Sequence, residues 1–438
     1  MSVSPLMIMW LFGKCPLTRV IVGNGKTGRS CARFFERHGW SYLMVDDVVD
    51  EAHVQLLTTD VLLSASEIVV SPGVPLARPE LAAARSAGVT IRGDVDLFVD
   101  EVIQPVIAVT GTNGKSTVAT LIYEMALDAG MTASLIGNIG EPCLDHIDDD
   151  VDVHVIEVSS FQLEAVTRLS AEIAVLLNIT PDHLDRYATF ADYRRTKLSV
   201  LEGCKTAVIS SDLGAGIDPL ESVDNQANLL RFGTSASDDY SIDDGYLTVD
   251  GERLLSVSDL CLRGSHNQLN ALAALATGDA MGLSRTSMQE TLGRFKGLAH
   301  RCEWIARIGD ADYINDSKAT NTGATLAAVA GFEKDITLIL GGESKGADLG
   351  SFARALPANV TNLVLIGRDA GLLQAAFVHH GAQVICASGL EDAVREAARA
   401  TAPGAIVLLS PACASFDMFR DYQHRGDEFR RIVLRGQP

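Results

Sequence analysis

The residues of this chain with the clearest chemical meaning are Gly111-Thr112-Asn113-Gly114-Lys115-Ser116-Thr117. Gly111 and Gly114 let the backbone approach a triphosphate closely, because no Cβ stands in the way. Lys115 can neutralise the outer phosphates, and the Ser116 hydroxyl is placed to hold a Mg²⁺. The stretch is shorter than the strict phosphate-loop pattern, whose first Gly would fall at Val109. A turn that merely joins strand to helix is the bland alternative, but Gly-Lys-Ser-Thr directly after a strand favours nucleotide binding. Glu157 ends the apolar run Val151–Val158, where phosphate-loop enzymes place a second Mg²⁺ contact; a structural Glu is the alternative. His183 sits beside Asp182 in Asn178-Ile179-Thr180-Pro181-Asp182-His183-Leu184-Asp185-Arg186, and Lys197 lies among Arg194 and Arg195. By residue type alone His183 could equally be a surface residue, and Lys197 reads as part of a solvated helix face. Asn267 and Asn270 fall three apart on one helical face, where they could bond a base edge or cap the helix.

These residues need elements to hold them. A β-prone run, Val106–Val109, precedes the Gly turn, and a helix-like segment, Val118–Ala129, follows it. Strand, turn and helix start in that order make a nest of N–H groups at a positive helix end. Ser134–Ile136 and Ile173–Leu177 read as further strands, the first running into the turn Gly137-Asn138-Ile139-Gly140. Upstream, the strand Arg19–Val22 meets Gly23-Asn24-Gly25-Lys26-Thr27-Gly28, a helix from Arg29, and a strand Ser41–Val45 that ends at Asp46. That is G-x-G-x-x-G in strand–turn–helix context, and by itself this unit predicts a dinucleotide-binding dehydrogenase. Glu67–Val70 is a third strand running into Ser71-Pro72-Gly73-Val74, and a boundary falls near Asp94–Glu101. The acidic cluster Asp145–Asp152 reads as a solvated loop, and Asp212–Ser256 as short β-prone pieces without chemistry. From Leu298 a third α/β unit is expected, with strands Asp335–Leu340, Asn362–Ile366, Gln383–Cys386 and Ala405–Leu409 and a helix Leu390–Ala400. Polar clusters at 315–321, 341–345 and 410–417 sit where ligands of open α/β sheets bind. The segment Phe295–Arg301 reads as a hinge.

The bulk numbers set limits. With 438 residues, two or three domains are expected. A net charge of −20 argues against a nucleic-acid surface. The eight Cys are scattered, with neither C-x-x-C nor zinc spacing, and read as reduced thiols of a cytoplasmic protein. Met7–Phe12 is apolar but too short to span a bilayer and reads as an extension or an early strand.

Taken together, G-T-N-G-K-S-T, E-V-S-S-F-Q-L, N-I-T-P-D-H-L-D-R, H-N-Q-L-N-A-L-A-A, L-A-H-R-C-E and N-D-S-K-A-T-N resemble the motifs of the Mur ligases, ATP-dependent amide-forming enzymes of peptidoglycan synthesis. The resemblance runs from about residue 19 to 429. It implies an α/β chain of three domains: a Rossmann-like UDP-sugar domain (1–95), a central ATP-binding phosphate-loop domain with a mostly parallel sheet (96–297), and a Rossmann-like amino-acid domain (298–438). The flanking motifs G-N-G-K-T-G and L-S-P-A-C-A-S-F-D imply the step that adds D-glutamate to UDP-N-acetylmuramoyl-L-alanine, which replaces the dinucleotide reading. A folylpolyglutamate-type ligase, another step of the Mur series or a non-catalytic nucleotide sensor are the alternatives.

Implied roles follow residue by residue. Gly111 to Thr117 would bind ATP, and Lys115 its phosphates. Ser116 and Glu157 would hold one Mg²⁺. His183 would help hold a second, with Lys197 carbamylated by CO₂ into an anionic ligand. Asn267, Asn270, His300, Arg301, Asp316 and Lys318 would surround adenine, ribose and phosphates. Lys26, Thr27 and Asp46 would meet the uridine diphosphate end, and Ser71, Pro72, Gly73 and Asn138 the rest of that substrate, Asn138 close to the chemistry. Thr320, Lys345, Ser415 and Tyr422 would receive D-glutamate. An acyl phosphate is the implied intermediate. The C-terminal domain would close over it by hinging near Leu298–Arg301, in a cytoplasmic monomer with no membrane or nucleic-acid partner.

Overall fold

The structure is a computed structural model, which describes residues 18–47, 53, 56–183, 186–213, 218–262 and 264–436. The extension 1–17 with Met7–Phe12, and Leu184 and Asp185 of the His183 motif, lie outside the described residues. The chain divides into two compact units, Met1–Leu255 with Asn270–Thr291, and Ser256–Leu269 with Leu292–Pro438.

The first unit carries two sheets. In the smaller, β1 (Arg19–Val22), β2 (Tyr42–Val45), β3 (Glu67–Val70) and β4 (Thr90–Arg92) are parallel in the order β2-β1-β3-β4. The chain leaves β1 for β2 on one side and returns to β3 on the other, so the order reverses between β1 and β3. The Gly23 and Ser71 turns sit at that switch, where a ligand crevice opens. Gly28 must be glycine: a Cβ there would lie 1.8 Å from the Gly23 carbonyl oxygen.

The larger sheet of this unit has β5 (Val106–Thr110), β6 (Ala133–Gly137), β7 (Val153–Glu157), β8 (Ile173–Leu176), β9 (Thr206–Ser210), β10 (Asn228–Phe232), β11 (Tyr240–Asp243), β12 (Tyr246–Val249) and β13 (Glu252–Ser256). Their order is β13-β12-β11-β10-β9-β8-β5-β7-β6. From β6 to β11 neighbours pair in parallel, and β11–β12 is an antiparallel hairpin. β5, β7 and β8 are buried at every position, as their unbroken apolar runs require of strands covered on both faces. The phosphate-loop helix starts at Lys115 and runs to Asp128, three residues before the expected start. Gly114 caps it at φ +86°, where a Cβ would come within 2.4 Å of Asn270 Oδ1.

One apolar core runs through both sheets. It joins Ile21, Phe34, Phe35 and Phe98 to Ala108, Ile156 and Ala174. In the acidic stretch 145–152, Asp148, Asp150 and Asp152 are exposed, as a solvated loop requires, but the stretch is also an anchor. Arg33 grips both oxygens of Asp145 at 2.6–2.9 Å, and Arg37 bonds Asp148 and the Leu144 carbonyl. A bidentate guanidinium–carboxylate pair fixes orientation as well as charge, so these acids attach the helix Lys26–Arg37 to the segment before β7.

The second unit holds β14 (Glu303–Ile308), β15 (Ala311–Asn315), β16 (Ile336–Gly341), β17 (Val360–Ile366), β18 (Gln383–Cys386) and β19 (Ile406–Leu409), in the order β14-β15-β19-β16-β17-β18. All pairs are parallel except the β14–β15 hairpin, which the sequence reading had not anticipated. The order sets β15, β19 and β16 side by side. The polar clusters after Asn315, Leu409 and Gly341 therefore hang from neighbouring strand ends.

Candidate active site

Adjacent strand ends of the larger sheet converge on the phosphate loop. Lys115 Nζ donates to the Gly111 and Thr112 carbonyls at 2.8 Å, so the ammonium is held across the mouth of its own loop. The loop is fixed from the β8 exit. Asn113 N donates to Asn178 Oδ1, Asn178 Nδ2 donates back to the Asn113 carbonyl, and Thr112 Oγ1 meets both the Thr180 carbonyl and the Tyr193 hydroxyl. Thr117 is buried on the first turn of the helix beyond it.

From β7, Glu157 arrives buried and accepts on both oxygens: from Ser116 Oγ on one and from Asn138 Nδ2 on the other, each at 2.5 Å. The Ser116 hydroxyl and the Glu157 carboxylate gathered at one point are oxygen donors that suit a hard divalent cation such as Mg²⁺. The Ser159–Gln162 capping box starts a short helix directly after this strand, which holds the strand end in place.

Lys197 is the residue whose own surroundings overturn the solvated-face reading. It is only 1% exposed, and its amine donates to Thr110 Oγ1 at 3.3 Å and lies 5.3 Å from the centre of the Tyr193 ring. Burial, then the neighbouring Lys115 charge, push its ammonium well below the ordinary lysine value, against weaker attraction from Asp182 and Glu157. A neutral amine is the nucleophile that CO₂ requires, so the pocket fits carbamylation chemically. His183 sits at φ +54°, half exposed, with its ring packed edge-on against Phe161 at 4.6 Å and Nε2 3.7 Å from Asp182. A non-glycine residue held in that region stores strain of order 1 kcal/mol and marks a site whose geometry is enforced.

A cavity of about 690 Å³ opens beside this centre in the same unit. Its walls include Lys26, Thr27, Asp46, Ser71, Pro72, Gly73 and Asn138, which brings together every residue assigned from sequence to the sugar-nucleotide end. Asn138 belongs to both places, since it lines the cavity and bonds Glu157. Asp46 accepts from Asn24 N at 2.6 Å and so also ties β2 to the Gly turn. Asp47, Arg78 and Gln162 line the cavity too and were not singled out from sequence. Arg78 pairs with Asp47 at 2.5 Å; neither residue belongs to a motif, so only topology reveals them.

On the second unit, His300, Asp316, Lys318 and Tyr422 form one cluster. The Lys318 amine lies 4.0 Å from the centre of the Tyr422 ring, and the His300 ring 6.2 Å from it. Asp316 is buried and accepts from Ser410 Oγ and Cys302 N; burial raises its carboxyl to about 7. The Arg301 charge acts on it in the opposite sense. Lys345, at φ +50°, points its amine to 5.4 Å from the Phe416 ring, next to the buried Ser415. Thr320 lies between Lys318 and the helix Thr322–Ala330, half buried. Beneath these loops the fully buried Arg425 donates to Ser317 Oγ, the Ser317 carbonyl and the Cys413 carbonyl at 2.9–3.1 Å, and to Gly341 O at 3.5 Å. One cation thus stitches together three strand exits. Asn267 and Asn270 are both buried on the helix Ser265–Ala280; Asn270 packs on the phosphate loop, and Asn267 belongs to the second unit.

Among the described residues no helix is long and apolar enough to cross a membrane. Three family models match the chain in order: Mur ligase MurD-like, N-terminal domain (18–93), Mur ligase middle domain (109–278), and Mur ligase, glutamate ligase domain (300–413). The chain is 42% identical over 435 residues to the UDP-N-acetylmuramoylalanine–D-glutamate ligase of Hahella chejuensis, covering 94% of this chain and 97% of that one. It is 40% identical over 440 residues to the ligase of the same name from Pseudomonas aeruginosa, covering 95% and 97%. Among solved structures it resembles a UDP-N-acetylmuramate–alanine ligase from Thermotoga maritima, with a TM-score of 0.60, 18% identity, and coverage of 96% of this chain and 100% of that one. At that identity the likeness speaks for the fold alone.

Proposed function

The chain belongs to the Mur ligase family, and from that premise we propose that it joins D-glutamate to UDP-N-acetylmuramoyl-L-alanine with cleavage of ATP to ADP. The observation that carries this reading is Asn138, shared between the sugar-nucleotide cavity and the Ser116–Glu157 pair of the phosphate loop. A substrate seated in that cavity by its nucleotide end can present its far end, the alanyl carboxylate, to a triphosphate. In this reading residues 1–95 bind the sugar nucleotide, 96–297 bind ATP, and 298–438 bind the amino acid.

A carboxylate is a poor electrophile, so its oxygen must first become a leaving group. The alanyl carboxylate oxygen attacks the γ-phosphorus, the bond to ADP breaks, and an acyl phosphate forms. Lys115 and the loop amides hold the outer phosphates against this second anion and stabilise the transferring group. Ser116 and Glu157 would hold one Mg²⁺, and His183 with a Lys197 carbamate a second. When bound, these ions neutralise charge on the phosphoryl oxygens. Thr320, Lys345, Ser415 and Tyr422 would orient D-glutamate. Its uncharged amine attacks the acyl carbon, loses a proton, and inorganic phosphate leaves from the tetrahedral intermediate. His300, Arg301, Asp316, Lys318, Asn267 and Asn270 would hold the rest of ATP. A cytoplasmic setting, a monomeric state and a place in cell-wall growth, and hence in cell shape and division, belong to the same reading.

The test is ADP release measured with each substrate omitted in turn, with the product weighed by mass spectrometry against a panel of amino acids. ADP that forms at full rate without the amine would make this an ATPase or phosphotransferase. Preference for another amino acid would move it to another step.

A further inference from the structure

Arg186 closes the N-I-T-P-D-H-L-D-R run, and nothing above gives it a role. Its side chain is only 8% exposed, which is unusual for an arginine and calls for partners that use the whole guanidinium. Nη1 donates to the Pro72 carbonyl at 2.7 Å and Nη2 to the Val74 carbonyl at 3.2 Å. Nε and Nη2 also grip Glu164, at 2.7 Å on the closer side. The plane lies 4.0 Å from the centre of the Phe161 ring, and Phe161 in turn packs against His183. Arg186 N and Tyr187 N both donate to the His183 carbonyl, which ties Arg186 to the residue that carries that imidazole.

Apart from Glu164, the partners of this side chain belong to the site or touch it. Pro72 and Val74 wall the cavity on the turn after β3; Phe161 follows Glu157, and His183 follows β8. The Ser71–Val74 turn is held to the Gly23 loop by Ser71 Oγ and to β1 by Ser71 N. The guanidinium thus joins the wall that grips one end of the substrate to the loop that carries His183.

We propose that Arg186 is a positioning residue that fixes the reach from the sugar-nucleotide cavity to the phosphoryl-transfer centre. Lysine cannot substitute, because an ammonium is a compact point charge that does not span two carbonyls and a carboxylate while stacking on a ring. A misplacement of about 1 Å at a reacting centre costs on the order of 10²-fold in rate, so loosening this link should be felt in turnover.

The inference rests on the ligase reading, so wild-type turnover with both substrates is measured first; its absence would reject that reading, not this one. Arg186→Met and Arg186→Lys are then compared with Arg186→Met/Glu164→Gln, which removes the carboxylate left stranded by the first change. Calorimetric titration of UDP-N-acetylmuramoyl-L-alanine into metal-free, nucleotide-free protein should show binding weakened about 10-fold in all three. ATP binding should stay within about 2-fold and kcat should fall on the order of 10²-fold. Guanidinium ion added to Arg186→Ala should restore part of the lost turnover, which a general folding defect would not allow. Sugar-nucleotide binding and kcat both within 2-fold of wild type in the double variant would overturn the proposal. So would ATP binding that weakens in step with sugar-nucleotide binding.

Discussion

Lys197→Met should make the protein more stable and inactive at once. The buried amine has one hydrogen bond among the described residues, to Thr110, and faces Lys115 as a like charge. Methionine keeps the apolar stem and sheds the group that burial penalises. A buried polar group without adequate partners costs about 1–3 kcal/mol, so a gain of roughly 1–2 kcal/mol is expected, which for a unit of this size is a rise of about 2–4 °C in Tm. The pH dependence follows from the same burial. The folded ammonium titrates below its ordinary value of 10.5, so between those two points the unfolded chain binds the extra proton. Stability must then rise with pH across that window, by up to about 1.4 kcal/mol per pH unit, and the gain is lost as pH falls through the folded value. Lys197→Met should flatten that slope. The assay is calorimetric unfolding of bicarbonate-stripped protein from pH 6 to 10, paired with ADP release. A lower Tm, an unchanged slope, or retained turnover would refute the reasoning, because each requires a charged or idle amine.

Four further substitutions test other parts of the site. Asp316, raised to about 7 by burial, takes up a proton that the unfolded chain has released above its ordinary 3.8; its contribution is therefore fully present at acid pH and is lost as pH rises through 7, and Asp316→Asn should remove that fall in unfolding scans. Arg425→Met should destabilise the second unit by about 1–3 kcal/mol, the usual cost of leaving buried acceptors, here the Ser317 hydroxyl and the Ser317 and Cys413 carbonyls, without their donor, seen as a lower midpoint in denaturant melts. Lys345→Ala and Ser415→Ala should raise KM for D-glutamate at least 10-fold more than KM for ATP in initial-rate assays, as expected of groups that bond only one substrate.

What could be read in advance and what could not divides along a physical line. The Gly23, Ser71 and Gly111 turns were legible because glycines, Pro and strand-like runs are local signals, and the parallel order of the sheets follows from strand–turn–helix alternation. Glu157 was legible for the same reason, as an acid at the end of a run too apolar to be anything but a buried strand. Lys197 was misread from local signals because it shares its helix with the exposed Arg195 and the half-buried Arg194; only the packing of Tyr193 and Thr110 around one position of that helix buries it. The same limit hid Arg33 with Asp145 and Arg425 with Cys413 and Ser317, whose partners lie 112, 12 and 108 residues away. Polar contacts of this kind leave no periodicity, since their geometry is set by how sheets stack and not by what precedes them in the chain. Arg186 belongs to the same class, for its carbonyl partners lie more than 110 residues upstream. Residues that touch the substrate are therefore announced by the loops that carry them, whereas those that hold such loops at the right separation emerge only once the sheets have been assembled.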